Sequence, residues 1–363
     1  MCSTTRVAII GYDYASLGGI ARASFNLAQG MVAAGDDVEV VVLRAAESWH
    51  ATAAQRGIRL RTEPRASNSR RISNPQKMID VGLVLARRLR RLLNQTEPFD
   101  AYIVSDDAAL SAATVISGQR SILWNHGELG LLLLAGSRSA RPLERLGGVW
   151  LSRILRAHRA WASRFGMVVS SSRLAREVSQ FTIERLTEGI VYPPVDVDTF
   201  TPSSAPTDDY ALAVGRTSGE SSVGPLQEVA HKVPLRTVGG LVVQNGRSYG
   251  LIPSDRDLAS VYANARMTLH PVLGEYFGYP VAESLACGTP VVAYNVGGPS
   301  ELIRHGKNGW LAENTRDFVE ISATVCAGGY GESIRLAARA SASMFSIESV
   351  AREFRSRVAR FLQ

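Results

Sequence analysis

Cysteine is scarce in this chain. Its 363 residues hold three, Cys2, Cys287 and Cys326, an odd and scattered set that excludes a disulfide framework and fits reduced thiols. Long apolar runs are missing too. The longest, near 129–135, is far too short to span a bilayer. Residues 1–6 run straight into a strand-like segment and leave no room for a leader, so a cytoplasmic location is expected. No set of His, Cys, Asp and Glu has metal-ligand spacing, and no bound metal or other cofactor is expected. Aromatics make up 7% of the chain, and none forms a platform among the basic residues, which argues against nucleic-acid binding. The G-x-G-x-x-G fingerprint is absent. Arg44 stands where an acidic residue would meet a dinucleotide ribose, and this excludes a dinucleotide-binding reading of the first half.

What is present describes a globular α/β protein. Hydrophobic residues make up 45% and charged residues 20%, and the length exceeds one comfortable core, so two domains are expected. The formal charge of +7 is uneven. Residues 1–195 carry 25 Lys+Arg against 16 Asp+Glu, or +9, and the remainder 15 against 17, or −2. Much of the excess lies in 86–93, on an expected helix over about 75–94, and in 138–164. A basic helix with leucines on its other face can meet anionic lipid, but a solvated face above an ordinary core stripe is the favoured reading. Peripheral contact with the inner face of a membrane stays open.

The segmental pattern repeats the same α/β plan twice. Residues 6–11 form a buried strand, the loop 12–17 leads into Gly18-Gly19, and a helix runs to Ala34 with Gly35 closing it. Further strands are expected at 38–43, 101–104, 121–124 and 166–170. Asn125-His126-Gly127 follows one of them at its carboxyl end, where ligands of open α/β sheets gather. Two prolines stiffen 191–200, the expected boundary, dividing the chain into 1–195 and 196–346, with a tail helix over 347–363. The second half opens with a strand at 210–214 followed by Gly215-Arg216.

The most informative stretch is 274–292. Gly274 and Gly278 punctuate a loop, and Pro280 suits the first helical position, which needs no N–H donor. Gly288 then fits a left-handed C-cap, before a β-branched strand at 291–292. Glu275 therefore sits in the loop and Glu283 one turn into the helix. The helix start at Phe277, Gly278, Tyr279 and Val281 offers N–H groups and partial positive charge to a phosphate. The carboxylates flank that start and can accept from sugar hydroxyls.

This stretch resembles the E-x7-E signature of family 4 retaining glycosyltransferases. Glu275, Phe277, Gly278, Glu283, Ala286, Cys287, Gly288, Thr289, Pro290, Val291 and Val292 are in register with it, followed by 297–303 and 306–309. The resemblance implies a GT-B fold, two Rossmann-like domains facing a central cleft, the tail helix crossing back onto the N-terminal acceptor domain. It implies transfer of a sugar from a nucleoside diphosphate sugar to a small-molecule, saccharide or lipid acceptor without a metal. The Ala/Arg/Val/Gly-rich composition points to a high-GC bacterial source. By the same resemblance Glu283 binds the nucleotide ribose, Glu275 and His126 contact the transferred sugar, and Arg216 stabilises the diphosphate. Gly18 and Gly19 match a glycine pair near the donor phosphate or acceptor, and Glu128 is a candidate acceptor contact. The family's lysine about six positions after the arginine is replaced by Ser222, for which Arg247 is the candidate substitute. Two alternatives stay open: other GT-B chemistry (a phosphorylase or a sugar-nucleotide epimerase), and a nucleotide-sugar-binding protein with weakened catalysis.

Overall fold

The structure, a computed structural model, describes residues 4–14, 18–63, 75–105, 107–127, 147–204, 209–215 and 220–362. Two compact units emerge, one of Met1–Pro194 with Val350–Gln363 and one of Val195–Ser349.

In the first unit the central sheet is formed by β1 (Arg6–Ile10), β3 (Asp37–Val41), β5 (Arg59–Arg61), β6 (Ala101–Val104), β7 (Ser121–Asn125) and β8 (Met167–Ser170). Their order is β5-β3-β1-β6-β7-β8, all parallel. A short side ribbon pairs β2 (Asp13–Tyr14) with β4 (Arg44–Ala45). Strands this apolar are buried on both faces because helices cover both sides of a parallel sheet. Val7, Ala8, Ile9 and Ile10 are all fully buried. Helix Gly19–Ala33 follows β1 and ends before Gly35, whose φ of 92° takes the left-handed turn.

In helix Pro75–Leu93 the basic block alternates with core leucines. Leu85, Leu89 and Leu92 are buried in the domain core, while Arg87, Arg90 and Arg91 are exposed. These leucines are committed to the core, the arrangement of a basic solvated face above a core stripe. The last helix, Ile347–Phe361, packs on this unit through its later turns. Phe354 meets Trp124 edge-on at 4.8 Å, and Arg355 grips the buried Asp36 with Nε 2.7 Å from Oδ2.

The second unit repeats the plan. Its strands are β9 (Ala211–Gly215), β10 (Leu235–Gly239), β11 (Arg247–Ser248), β12 (Met267–His270), β13 (Val291–Tyr294) and β14 (Gly309–Ala312). They lie parallel in the order β11-β10-β9-β12-β13-β14. In both units the chain builds outward on one side, returns to the middle and builds outward on the other. That is the Rossmann order, and it creates a crevice at the carboxyl ends of the two central strands. The switch lies between β1 and β6 in the first unit and between β9 and β12 in the second.

Candidate active site

At the switch of the second unit, glycine keeps the strand ends bare. Gly215 ends β9 in register with Gly239 of β10, and the Gly240 N–H donates to the Gly215 carbonyl at 3.1 Å. Gly239 has φ of 89°, and a Cβ there would run into the Gly215 carbonyl oxygen. Only glycine tolerates both constraints. On the other side of β9, β12 ends in His270, which is 3% exposed. Burial pushes its imidazole down to about 4, so it is neutral at physiological pH. Arg216 directly follows β9 but lies outside the described residues. Ser222 sits in helix Glu220–Ala230.

The loop after β12 carries Glu275. Its backbone carbonyl accepts from the Gly298 N–H at 2.8 Å. A Cβ on Gly298 would lie 2.5 Å from the Phe277 Cα and the Tyr276 carbonyl oxygen, so this approach requires glycine. The Glu275 carboxylate is about one-third exposed, and its Oε2 lies 4.0 Å from His270 Nε2.

Helix Tyr279–Ala286 then starts from Gly278 in a left-handed conformation, φ 89° and ψ 72°, with no side-chain cap, no acidic residue in its first turn and Pro280 at its start. An N-terminus without a side-chain cap retains its attraction for an anion. The Phe277 ring is used for packing, 5.6 Å from Phe345 and 5.3 Å from Tyr279. Its backbone, together with those of Gly278, Tyr279 and Val281, shapes the helix start.

Glu283 is more deeply placed than Glu275. It is 4% exposed, and its Oε2 accepts from the Tyr262 hydroxyl at 3.2 Å. The helix around it is fixed by buried hydroxyls: Ser284 Oγ is 2.7 Å from Thr268 Oγ1 and donates to the Thr289 carbonyl at 2.8 Å. At the far end, Arg339 Nη1 donates to the carbonyls of Ala286, Val197 and Phe200 at 2.8–2.9 Å. A cation at a helix C-terminus is favourable, and this one also ties down the segment that enters the second unit. Cys287 caps the helix, its thiol buried and raised well above the usual range by that burial. It is no nucleophile.

In the first unit, His126 follows β7 and is 7% exposed, with its ring 4.6 Å from that of Trp124. Its Nε2 has no hydrogen-bond partner among the described residues, and burial pushes the imidazole down to about 3. It is therefore a neutral group whose free nitrogen awaits a partner. Asn125 Oδ1 accepts from the Gly127 N–H at 2.7 Å, and Gly127 turns with φ of 82°. Glu128 lies outside the described residues. Gly18 is the N-cap of helix Gly19–Ala33, again with no side-chain cap and no acid in the first turn. The switch of this unit is filled. Tyr14 lies over Gly11, where a Cβ would overlap the phenol ring, and its hydroxyl is 2.7 Å from Ser24 Oγ and 3.2 Å from Ser105 Oγ.

The structure brings Glu275, Phe277, Gly278, Tyr279, Val281 and Glu283 together on one loop and helix beside the end of β12. It does not bring Arg247 to them. Arg247 begins β11, the outermost strand, in register with Arg236 near the amino end of β10. Two strand spacings put it about 10 Å from β9 laterally, and its guanidinium lies 5.9 Å from the Tyr249 ring. Sequence reasoning missed His270, Tyr262, Arg339 and the role of Gly298. The adjacent glycines 297 and 298 were a legible signal of close approach, and the others depend on tertiary packing. A cavity of about 670 Å³ lined by Arg120, Arg164 and Phe361 opens at the amino ends of β7 and β8, away from the carboxyl ends where these residues gather.

Residues 247–326 match the family model described as Glycosyl transferases group 1, a segment containing Glu275, Glu283 and the helix between β12 and β13. The D-inositol 3-phosphate glycosyltransferase of Mycobacterium tuberculosis (strain ATCC 25618 / H37Rv) is 30% identical over 196 residues, covering 44% of this chain and 41% of its own. The chain thus spans about two fifths of the length of the curated relatives it matches. Among solved structures, Anabaena Alr3699/HepE in complex with UDP-glucose is similar with a TM-score of 0.74 and 17% identity, covering 98% of this chain and 100% of that one. Sucrose-phosphate synthase (tll1590) from Thermosynechococcus elongatus has a TM-score of 0.73 and 15% identity, covering 98% of each chain. At such identities the likeness is one of fold. It is the GT-B fold of two Rossmann-like α/β domains.

Proposed function

We propose that the protein is a retaining glycosyltransferase that moves a sugar from a nucleoside diphosphate sugar to a small-molecule, saccharide or lipid acceptor, without a metal ion. The observation that carries this reading is the arrangement at 275–283. One partly exposed carboxylate and one buried carboxylate flank a helix start with no side-chain cap, all within the segment that matches the group 1 model. Glu283 takes the ribose and Glu275 the transferred sugar. Arg216 and the start of helix Tyr279–Ala286 stabilise the departing diphosphate, and stabilising developing charge is a large catalytic contribution. His126, neutral by burial, offers a hydrogen bond to the sugar. The acceptor oxygen bonds to the anomeric carbon on the face from which the phosphate oxygen leaves, and the acceptor proton passes to that phosphate. A cytoplasmic location is part of this proposal. Among the described residues no helix is long and apolar enough to cross a membrane.

The complexes of the Anabaena protein with UDP and UDP-glucose make uridine nucleotides the first donors to test. The name of the mycobacterial relative makes D-inositol 3-phosphate a first acceptor. A thermal-shift screen over UDP-, GDP-, ADP- and TDP-linked sugars should find at least one that stabilises the protein, by about 2.7 kcal/mol at a hundredfold excess over Kd. Glu283→Ala should then weaken nucleotide binding at least tenfold. Undiminished affinity would remove the ribose role from Glu283, and a screen with no stabilising nucleotide sugar would overturn the function. Ser222 in place of a diphosphate-binding lysine favours one second reading, a nucleotide-sugar-binding protein with weakened catalysis. Nucleotide binding without transfer or donor hydrolysis would identify it.

A further inference from the structure

Two buried side-chain nitrogens of the second unit have no hydrogen-bond partner among the described residues, Arg266 Nε and His270 Nε2. The Arg266 charge is nevertheless paired, because its Nη2 reaches Asp209. His270 Nε2 remains. Leaving a buried donor unmade costs about 1–3 kcal/mol, and such a group persists where binding supplies what folding does not. His270 is the last residue of β12, next to β9 at the switch of the sheet, and its Nε2 lies 4.0 Å from Glu275 Oε2.

We infer that His270 is a positioning residue for Glu275: when a nucleotide sugar binds, its Nε2–H closes onto Glu275 Oε2 and fixes the carboxylate that meets the transferred sugar. This rests on the proposed function. At 4.0 Å the pair is beyond hydrogen-bonding distance. The two partners differ in exposure. His270 is held in the strand and the core at 3% exposure, whereas the Glu275 side chain is 35% exposed on its loop, so the carboxylate makes the move of about 1 Å to normal hydrogen-bond length. A sugar seated over Glu275 removes water from the pair, which strengthens a bond between a neutral donor and an ionised acceptor.

His270 is neutral, so its imidazole orients the Glu275 carboxylate without adding a charge beside it. Burial keeps the imidazole uncharged at working pH. The Gly298 N–H holds the backbone of the same residue from the other side, at 2.8 Å from its carbonyl. Backbone and side chain of Glu275 are thus addressed by two separate donors.

The test compares UDP, GDP, ADP and TDP with UDP-glucose, GDP-mannose, ADP-glucose and TDP-glucose, by calorimetry on the full chain. In His270→Phe, which fills the space without a donor, the affinity for the nucleotide should stay within threefold of wild type. The ratio of nucleotide-sugar affinity to nucleotide affinity should fall about tenfold. Glu275→Gln should lose a similar amount, and the double variant should lose no more than either. His270→Gln, whose amide reaches the place of Nε2, should restore the ratio to within threefold. His270→Asn, whose amide stops short, should not, and this pair carries the test if the Phe variant does not fold. An unchanged ratio in the Phe and Asn variants, equal weakening of nucleotide and nucleotide sugar, or no rescue by Gln would overturn the positioning role alone. A wild-type protein that binds none of these ligands would overturn the proposed function, and the inference with it.

Discussion

At the carboxyl end of β1, the Tyr14 ring lies over Gly11 and joins Ser24 and Ser105 in a triangle of hydroxyls. At the carboxyl end of β9, Gly215 faces Gly239 with backbone against backbone, and on the other side of the switch a nitrogen of His270 has no partner among the described residues. The sheet order is the same in both units, so topology alone does not decide where a ligand goes. Side chains do. At the end of β1 the three hydroxyls satisfy one another and a side chain covers the strand end. In the second unit, bulk is kept away and a polar atom is left unmatched among the described residues, the condition under which a bound molecule gains most.

Changes to the close glycine contacts should have the largest effects. Gly298→Val should displace the 275–278 loop, cost about 2–3 kcal/mol through overpacking and abolish nucleotide-sugar binding, read by denaturant unfolding and calorimetry. In the first unit Gly11→Ala should eject Tyr14 and cost a similar amount, yet leave nucleotide affinity in the second unit within twofold. If both variants lost binding equally, the distinction between a filled and a receptive crevice would fail.

Acid should separate the units by a smaller margin. The first holds two buried neutral histidines, His126 at about 3 and His158 at about 4, and the second holds His270 at about 4, each lowered by burial from an ordinary 6.5. The unfolded chain binds these protons first. Stability is therefore complete above pH 6.5 and is lost as pH falls from there toward 4 for His158 and His270 and toward 3 for His126, by up to about 1.4 kcal/mol per pH unit for each group. Fluorescence of Trp124 and Trp161 should report unfolding of the first unit at a higher pH than Trp310 reports for the second. The reverse order would show that other groups dominate acid sensitivity.

Tyr14→Phe removes one hydroxyl but leaves Ser24 and Ser105 bonded to each other, so it should cost about 1 kcal/mol in chemical denaturation. Arg247→Ala should change least. Its exposed place on an edge strand predicts a stability change within about 0.5 kcal/mol and unaltered nucleotide affinity. A tenfold loss of affinity would return Arg247 to the diphosphate.

Much of this was legible in the residues. The turn glycines and Pro280 located the signature helix to within a residue, because those residue types answer to local backbone rules that need no tertiary context. β-branched runs placed most strands for the same reason. What was not legible depended on neighbours distant in sequence. His270 reads as one more residue at a strand end until Glu275, five positions on, is folded back beside it. Tyr262 meets Glu283 across two helices, and Arg339 gathers carbonyls from 197, 200 and 286. Arg247 is a candidate to replace the missing lysine in space, but the sheet carries it outward because β11 joins the far side of β10.

Cys287 gives the second unit a built-in timer. The thiol is fully buried at the end of the signature helix and is 3.6 Å from the Ala259 carbonyl, so alkylating reagents can reach it only when that helix detaches. Cys326, partly exposed, reacts without such an event. The lag between the two labelling rates in the native protein therefore measures how often the helix bearing Glu283 opens, and a ligand held by that helix should lengthen the lag.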